Sequence, residues 1–106
     1  MFARKVSMQL KPNGAAEFKK KIENEIIPVL RKQKGFLDEI TLLYPNGKEV
    51  HAFSLWERAE DAEAYNRGAY PALVKSMEPL IEGVLRVQTY EVLNSTIHKI
   101  ATSASA

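Results

Sequence analysis

Two neighbouring stretches, Phe36 to Tyr44 and Glu49 to Trp56, are extended in character and apolar on both faces, and this limits the possible folds more than any other feature. Pro45-Asn46-Gly47 joins them, and an Asn-Gly pair suits the positive φ of a tight turn, so the two form a β-hairpin. On the first strand Leu37 and Leu43 oppose Ile40, Leu42 and Tyr44; on the second, Phe53 and Leu55 oppose Val50, Ala52 and Trp56. A sheet that is apolar on both faces must have both covered. The rest of a 106-residue chain supplies helices for one face only, so a second copy is expected on the other. The expected assembly is a homodimer through the sheet face, with a small enclosed pocket in each subunit.

The flanking segments complete the pattern. Val6, Met8 and Leu10 recur at period two in a strand from Phe2 to Leu10, which stops at Lys11-Pro12-Asn13-Gly14. Asn13 is the expected N-cap of a helix whose apolar positions are Phe18, Ile22, Ile26, Val29 and Leu30; Pro28 predicts a kink in it, and Gly35 is placed to end it in the left-handed conformation. From Arg58 to Ile81 a second helical spacing runs through Ala62, Tyr65, Leu73 and Met77. It should break at Gly68-Ala69-Tyr70, with Pro71 in the first turn of a fresh helix that runs to about Glu78. Glu82-Gly83 then turns into a last strand, Val84 to Leu93. The order strand, helix, strand, strand, helix, strand is the ferredoxin-like βαββαβ arrangement, an α+β fold with an antiparallel sheet and helices on one face. It occupies residues 1–93 as one domain, and residues 94–106 form a tail expected to be mobile or to lie on a partner chain.

Composition narrows the chemistry. With no cysteine, disulfides, thiolate nucleophiles and Cys-ligated metals are excluded. Fifteen basic against 13 acidic residues, spread evenly, do not form the footprint of a nucleic-acid binder. No apolar run reaches the roughly 20 residues needed to span a bilayer, and the first residues have no apolar core of signal-peptide length, so the expected location is the cytoplasm with no membrane partner.

Several side chains can carry function, each with a structural reading beside it. Tyr65 and Tyr70 flank the helix break and can aim both hydroxyls into one cavity, or bury their rings as core. Asn66 and Arg67 adjoin the same break and can bind a carbonyl or carboxylate, or simply be solvated. Trp56 can wall a pocket for a planar molecule or fill the gap between sheet and helix. His51 shares a strand face with Phe53 and Leu55 and is the best-placed candidate base near neutral pH; a satisfied core or interface histidine is the bland alternative. His98 lies in the tail, where a contact with a partner chain is expected. Two histidines so far apart do not build a metal site.

Gly35-Phe36 closing the first helix, the strand end Phe53-Ser54-Leu55-Trp56-Glu57, and Asp61-Ala62-Glu63-Ala64-Tyr65 opening the next helix resemble the antibiotic biosynthesis monooxygenase (ABM)-like dimeric α+β barrel family, over about residues 3–93. That family includes cofactor-free monooxygenases of aromatic polyketide intermediates, haem-degrading enzymes, signal-molecule-processing proteins and members without an assigned role. In its quinone-forming monooxygenases a tryptophan ends the third strand, which Trp56 matches, but the asparagine four residues earlier is here Ala52, so that hydrogen-bond donor is missing. Its haem-degrading members need a first-strand asparagine, where this chain has Ser7, and a histidine on the second helix, where this chain has none, which disfavours haem degradation. The resemblance implies a cofactor-independent monooxygenase acting on a small aromatic or polyketide-like molecule, with no metal or organic cofactor and with electrons supplied by the substrate. Trp56, Tyr65 and Asn66 would bind that substrate, and Tyr70, His51 or Arg67 would accept a proton or stabilise charge. A non-catalytic dimeric binding module and a muconolactone-isomerase-like isomerase stand as alternatives, so whether the chain is an enzyme at all is open at this level.

Overall fold

Alternation along the first strand, β1 (Phe2–Leu10), sends Arg4, Val6, Met8 and Leu10 to one face, where all four are buried, and Lys5, Ser7 and Gln9 to the other. In the computed structural model, which describes residues 1–45 and 47–98, the buried face carries the helices. Asn13 does not cap the first of them. It turns in the left-handed region at φ 62, and the helix starts one residue later from Gly14, with no side-chain cap.

Three segments follow one path: helix α1 (Ala15–Lys21), a π-helical turn (Ile22–Ile26) and helix α2 (Ile27–Arg31). Pro28 is the cause. It has no N–H to donate and its ring crowds the carbonyl of Asn24. The chain accommodates this by widening, with the Ile27 N–H bonded to the Ile22 carbonyl five residues back. The expected kink thus takes the form of a π turn, and Gly35, at φ 78, ends the run in the conformation foreseen for it.

β2 (Phe36–Leu43) and β3 (Glu49–Trp56) form the expected hairpin, closed by the Tyr44 N–H to Glu49 carbonyl bond at 2.8 Å and by Gly47 at φ 75. Asn46, assigned to the same turn, lies outside the described residues. Helix α3 (Ala59–Arg67) stops at Gly68, and α4 (Tyr70–Met77) restarts with Pro71 in its first turn before a 3-10 turn at Glu78–Leu80. β4 (Ile81–Glu91) begins three residues before the expected start, because Ile81 pairs with Leu10 and both are buried. Gly83, at φ 73, is therefore not a turn before the strand but part of a bulge within it, where the register on β1 shifts between Ser7 and Gln9.

The sheet has the order β2-β3-β1-β4, antiparallel throughout, as the βαββαβ pattern requires. Its face away from the helices carries Ile40, Leu42, Phe53, Leu55 and Tyr90, of which Ile40 is 56% and Leu42 47% exposed. The tail does not simply leave the domain: the Val92 N–H bonds the Met1 carbonyl at 3.0 Å, and His98 reaches Asp38 on β2, at the opposite edge of the sheet from β4. The remainder of the tail lies outside the described residues. Among the described residues no helix is long and apolar enough to cross a membrane.

Candidate functional site

One row of side chains interrupts the apolar face beneath the helices. Strand register sets Glu39 beside Ser54, Ser54 beside Arg4 and Arg4 beside Thr89, so four polar residues from four strands line up across the sheet. Arg4 is the unusual member, only 3% exposed. Its Nη2 donates to Asn66 Oδ1 at 2.7 Å, and its guanidinium lies 3.9 Å from the Tyr70 ring centre and 5.3 Å from that of Tyr65. No carboxylate among the described residues forms an ion pair with it.

The helix break positions the two phenols. α3 ends at Gly68 and α4 restarts at Tyr70, so Tyr65 and Tyr70 turn toward the same strand residue with ring centres 5.8 Å apart. Behind Tyr65 stands Trp56, fully buried, its ring 5.2 Å from Tyr65 and 5.6 Å from Phe36, and its indole N–H donates to Ser54 Oγ at 2.9 Å. Trp56 therefore supports Tyr65 from behind and does not itself wall the cavity.

Arg4, Glu39, Ser54, Tyr65 and Tyr70, together with apolar residues that include Val6, Met8, Ile26, Leu30 and Met77, line a partly open cavity of about 40 Å³. That exceeds the roughly 10–15 Å³ one water needs and falls far short of the roughly 300 Å³ of a small-molecule pocket. The Tyr70 hydroxyl is buried without a hydrogen-bond partner among the described residues. Next to the cavity, an apolar groove of about 470 Å³ runs between α1, the π turn and strands β2 and β3, lined by Phe18, Ile27, Leu43 and Val50. Cavity and groove share Ile22 and Glu39, so Glu39 is the carboxylate that stands between the two spaces. The π turn has a role here, since it carries Ile22 and Ile26 against the cavity and hands Ile27 to the groove.

Burial sets the protonation of this cluster. Partial removal from water raises the Glu39 carboxyl above its ordinary range, opposed by the hydrogen bond it accepts from the Thr41 hydroxyl. Burial pushes Tyr65 up to about 12, with the Arg4 cation pulling the other way. At neutral pH Tyr65 is thus a donor, and Glu39 is the carboxyl beside it that holds its proton more tightly than usual.

The sequence-selected residues divide between the two faces. Tyr65, Tyr70 and Asn66 meet around Arg4. His51 does not join them: as its parity with Phe53 and Leu55 requires, it lies on the open face, bonded to Ser7 Oγ at 3.1 Å and to Glu49 at 2.6 Å. Ser7, the first-strand position weighed for haem chemistry, points to the same open face and away from the cavity. Arg67 is 72% exposed and pairs with Glu63 at 3.8 Å, so it is a solvated helix residue. Ala52 does line the cavity, together with Arg4 and the two phenols. Arg4 and Glu39 were overlooked although parity marked both: Arg4 continues the Val6, Met8, Leu10 alternation, and Glu39 has the parity of Leu43. A charge at an apolar position of a strand was the signal.

No family model matches the chain, and no curated protein matches it. Solved structures do. The chain is similar to NE2512, a protein of unknown function from Nitrosomonas europaea, at 16% identity and a TM-score of 0.77, over 92% of this chain and 94% of that one. It is also similar to the monooxygenase from the gene ActVA-Orf6 of Streptomyces coelicolor, in complex with the ligand nanaomycin D, at 17% identity and 0.70, over 92% of each chain. A third is SnoaB, a cofactor-independent oxygenase from Streptomyces nogalater, at 11% identity and 0.72, over 92% of this chain and 97% of that one. At such identities the likeness shows the fold, and the fold this chain has is the ferredoxin-like α+β fold of the antibiotic biosynthesis monooxygenases.

Proposed function

We propose that the chain is a cofactor-independent oxygenase of a small aromatic phenol, working as a homodimer through the open sheet face. One observation carries this reading: an apolar groove large enough for a fused aromatic ring system ends at a carboxyl of raised pKa, behind which a buried cation and an unpartnered phenol converge. A buried donor without a partner is what a purely structural module has no reason to keep.

In this reading the ring occupies the groove and Glu39 takes the phenolic proton. Tyr65, protonated, donates to the developing oxyanion. The electron-rich anion reduces dioxygen and forms a new carbon–oxygen bond, and loss of water leaves a quinone, so phenol plus O₂ gives quinone plus H₂O. The substrate supplies all the electrons, in keeping with the cofactor-independent oxygenase that shares the fold. Trp56 holds the Tyr65 ring in place from behind.

The test is turnover of naphthols and anthrones, followed by oxygen consumption and product mass. One O₂ is consumed and one quinone formed per substrate, and Glu39→Gln lowers kcat roughly 100-fold, as loss of a general base does. Absence of turnover across the class overturns the proposal. Conversion at an unchanged rate without oxygen replaces it with an isomerase using the same carboxyl.

A further inference from the structure

A buried cation without an anion is costly, and proteins rarely keep one without use. Arg4 is in that position. It is 3% exposed, its side chain's one hydrogen bond among the described residues runs to the neutral Asn66 amide, and two phenol rings rather than carboxylates cover its faces. A guanidinium has five N–H donors, of which this arrangement uses one. Tyr70 lines the same cavity, and its hydroxyl is buried with no hydrogen-bond partner among the described residues. Arg4 is the one cation among the residues lining this mostly apolar cavity, whose volume of about 40 Å³ admits a group of a few heavy atoms and not a ring.

We infer that Arg4 and the Tyr70 hydroxyl form an anion subsite for a carboxylate carried by the substrate, so that the enzyme's substrates are ortho-hydroxy aromatic acids and not neutral phenols. The inference rests on the reading of the groove as the substrate site. The ring lies in the groove, the hydroxyl at Glu39 on the junction, and the adjacent carboxylate passes inward to the guanidinium, whose fork matches its two oxygens. The charge that Arg4 lacks in the free protein arrives with the ligand.

Binding of 1-hydroxy-2-naphthoate and of 1-naphthol is measured by titration calorimetry on the full chain and on Arg4→Met and Tyr70→Phe. The acid binds at least about tenfold more tightly than the naphthol, the effect of a charge-assisted hydrogen bond in a buried site. Arg4→Met abolishes that preference, so that acid and naphthol bind alike, and Tyr70→Phe reduces it. Arg4→Met is also at least as stable as the parent to heat, because an uncompensated buried charge has been replaced by an apolar chain of similar length. Should that variant fail to fold, Tyr70→Phe, which removes a single oxygen, carries the test. Equal binding of the two ligands by the parent overturns the subsite and leaves the groove reading intact. Binding of neither overturns both.

Discussion

Glu39 is a carboxyl set where its charge is disfavoured, and that has a consequence for stability. In the unfolded chain it titrates near the ordinary 4.5, and in the folded protein burial raises it, with the Thr41 hydroxyl only partly opposing the shift. Between 4.5 and its raised value the folded state holds more protons than the unfolded one, so the free energy of unfolding falls as pH rises through that window and levels off above it. Glu39→Gln keeps the shape and removes the titration. Urea denaturation of both proteins over a pH series should show nearly equal stability below 4.5 and an advantage to the glutamine variant that grows as pH rises past that point. A constant difference at every pH would mean that the side chain is ionised in the fold without penalty. The same carboxyl is the proposed base, so the variant that gains stability is expected to lose activity.

At the scale of elements, two glycines at nearly the same backbone angle separate conformational cost from steric cost. Gly47, at φ 75, has open space where a Cβ would stand, whereas at Gly35, φ 78, a Cβ would lie 2.0 Å from Asp61 Oδ2 and 2.8 Å from Asp61 Cβ. Gly35 also joins two elements, since its carbonyl accepts the Glu57 N–H at 2.8 Å. Gly47→Ala is expected to cost about 1–2 kcal/mol, the penalty of a left-handed L-residue, and Gly35→Ala clearly more. Equal losses in urea denaturation would mean that Asp61 swings aside freely. Both glycines were legible in the sequence, as were the hairpin and the helix break, because Gly and Pro act locally. The rest depended on contacts between elements. Pro28 announces a disturbance but not that the backbone answers with a π turn. Parity separates His51 from Ala52 yet cannot say which apolar face the helices cover, so the histidine was drawn into a site on the other side. Arg4 reads as surface charge until α3 and α4 close over it.

At the scale of the molecule, the open face of the sheet is the feature that remains unsatisfied. Ile40, Leu42 and Tyr90 are each more than 40% exposed on it, beside the half-buried Phe53 and Leu55, a contiguous apolar patch of the kind that monomers seldom leave to water. At the edge of that patch the Ser7, His51 and Glu49 chain of hydrogen bonds provides a polar margin, as interfaces between subunits have around an apolar centre. A second copy of the same face meets both requirements, and two-fold symmetry makes the patch its own complement. Light scattering at micromolar concentration should therefore give twice the 11.9 kDa of one chain. Phe53→Asp should give a single-chain mass with unchanged far-ultraviolet circular dichroism, since a charge at the centre of the patch opposes association while the core lies on the opposite face. A single-chain mass for the parent would overturn the dimer. A folded monomeric variant that still bound naphthol would show that groove and cavity are complete within one chain.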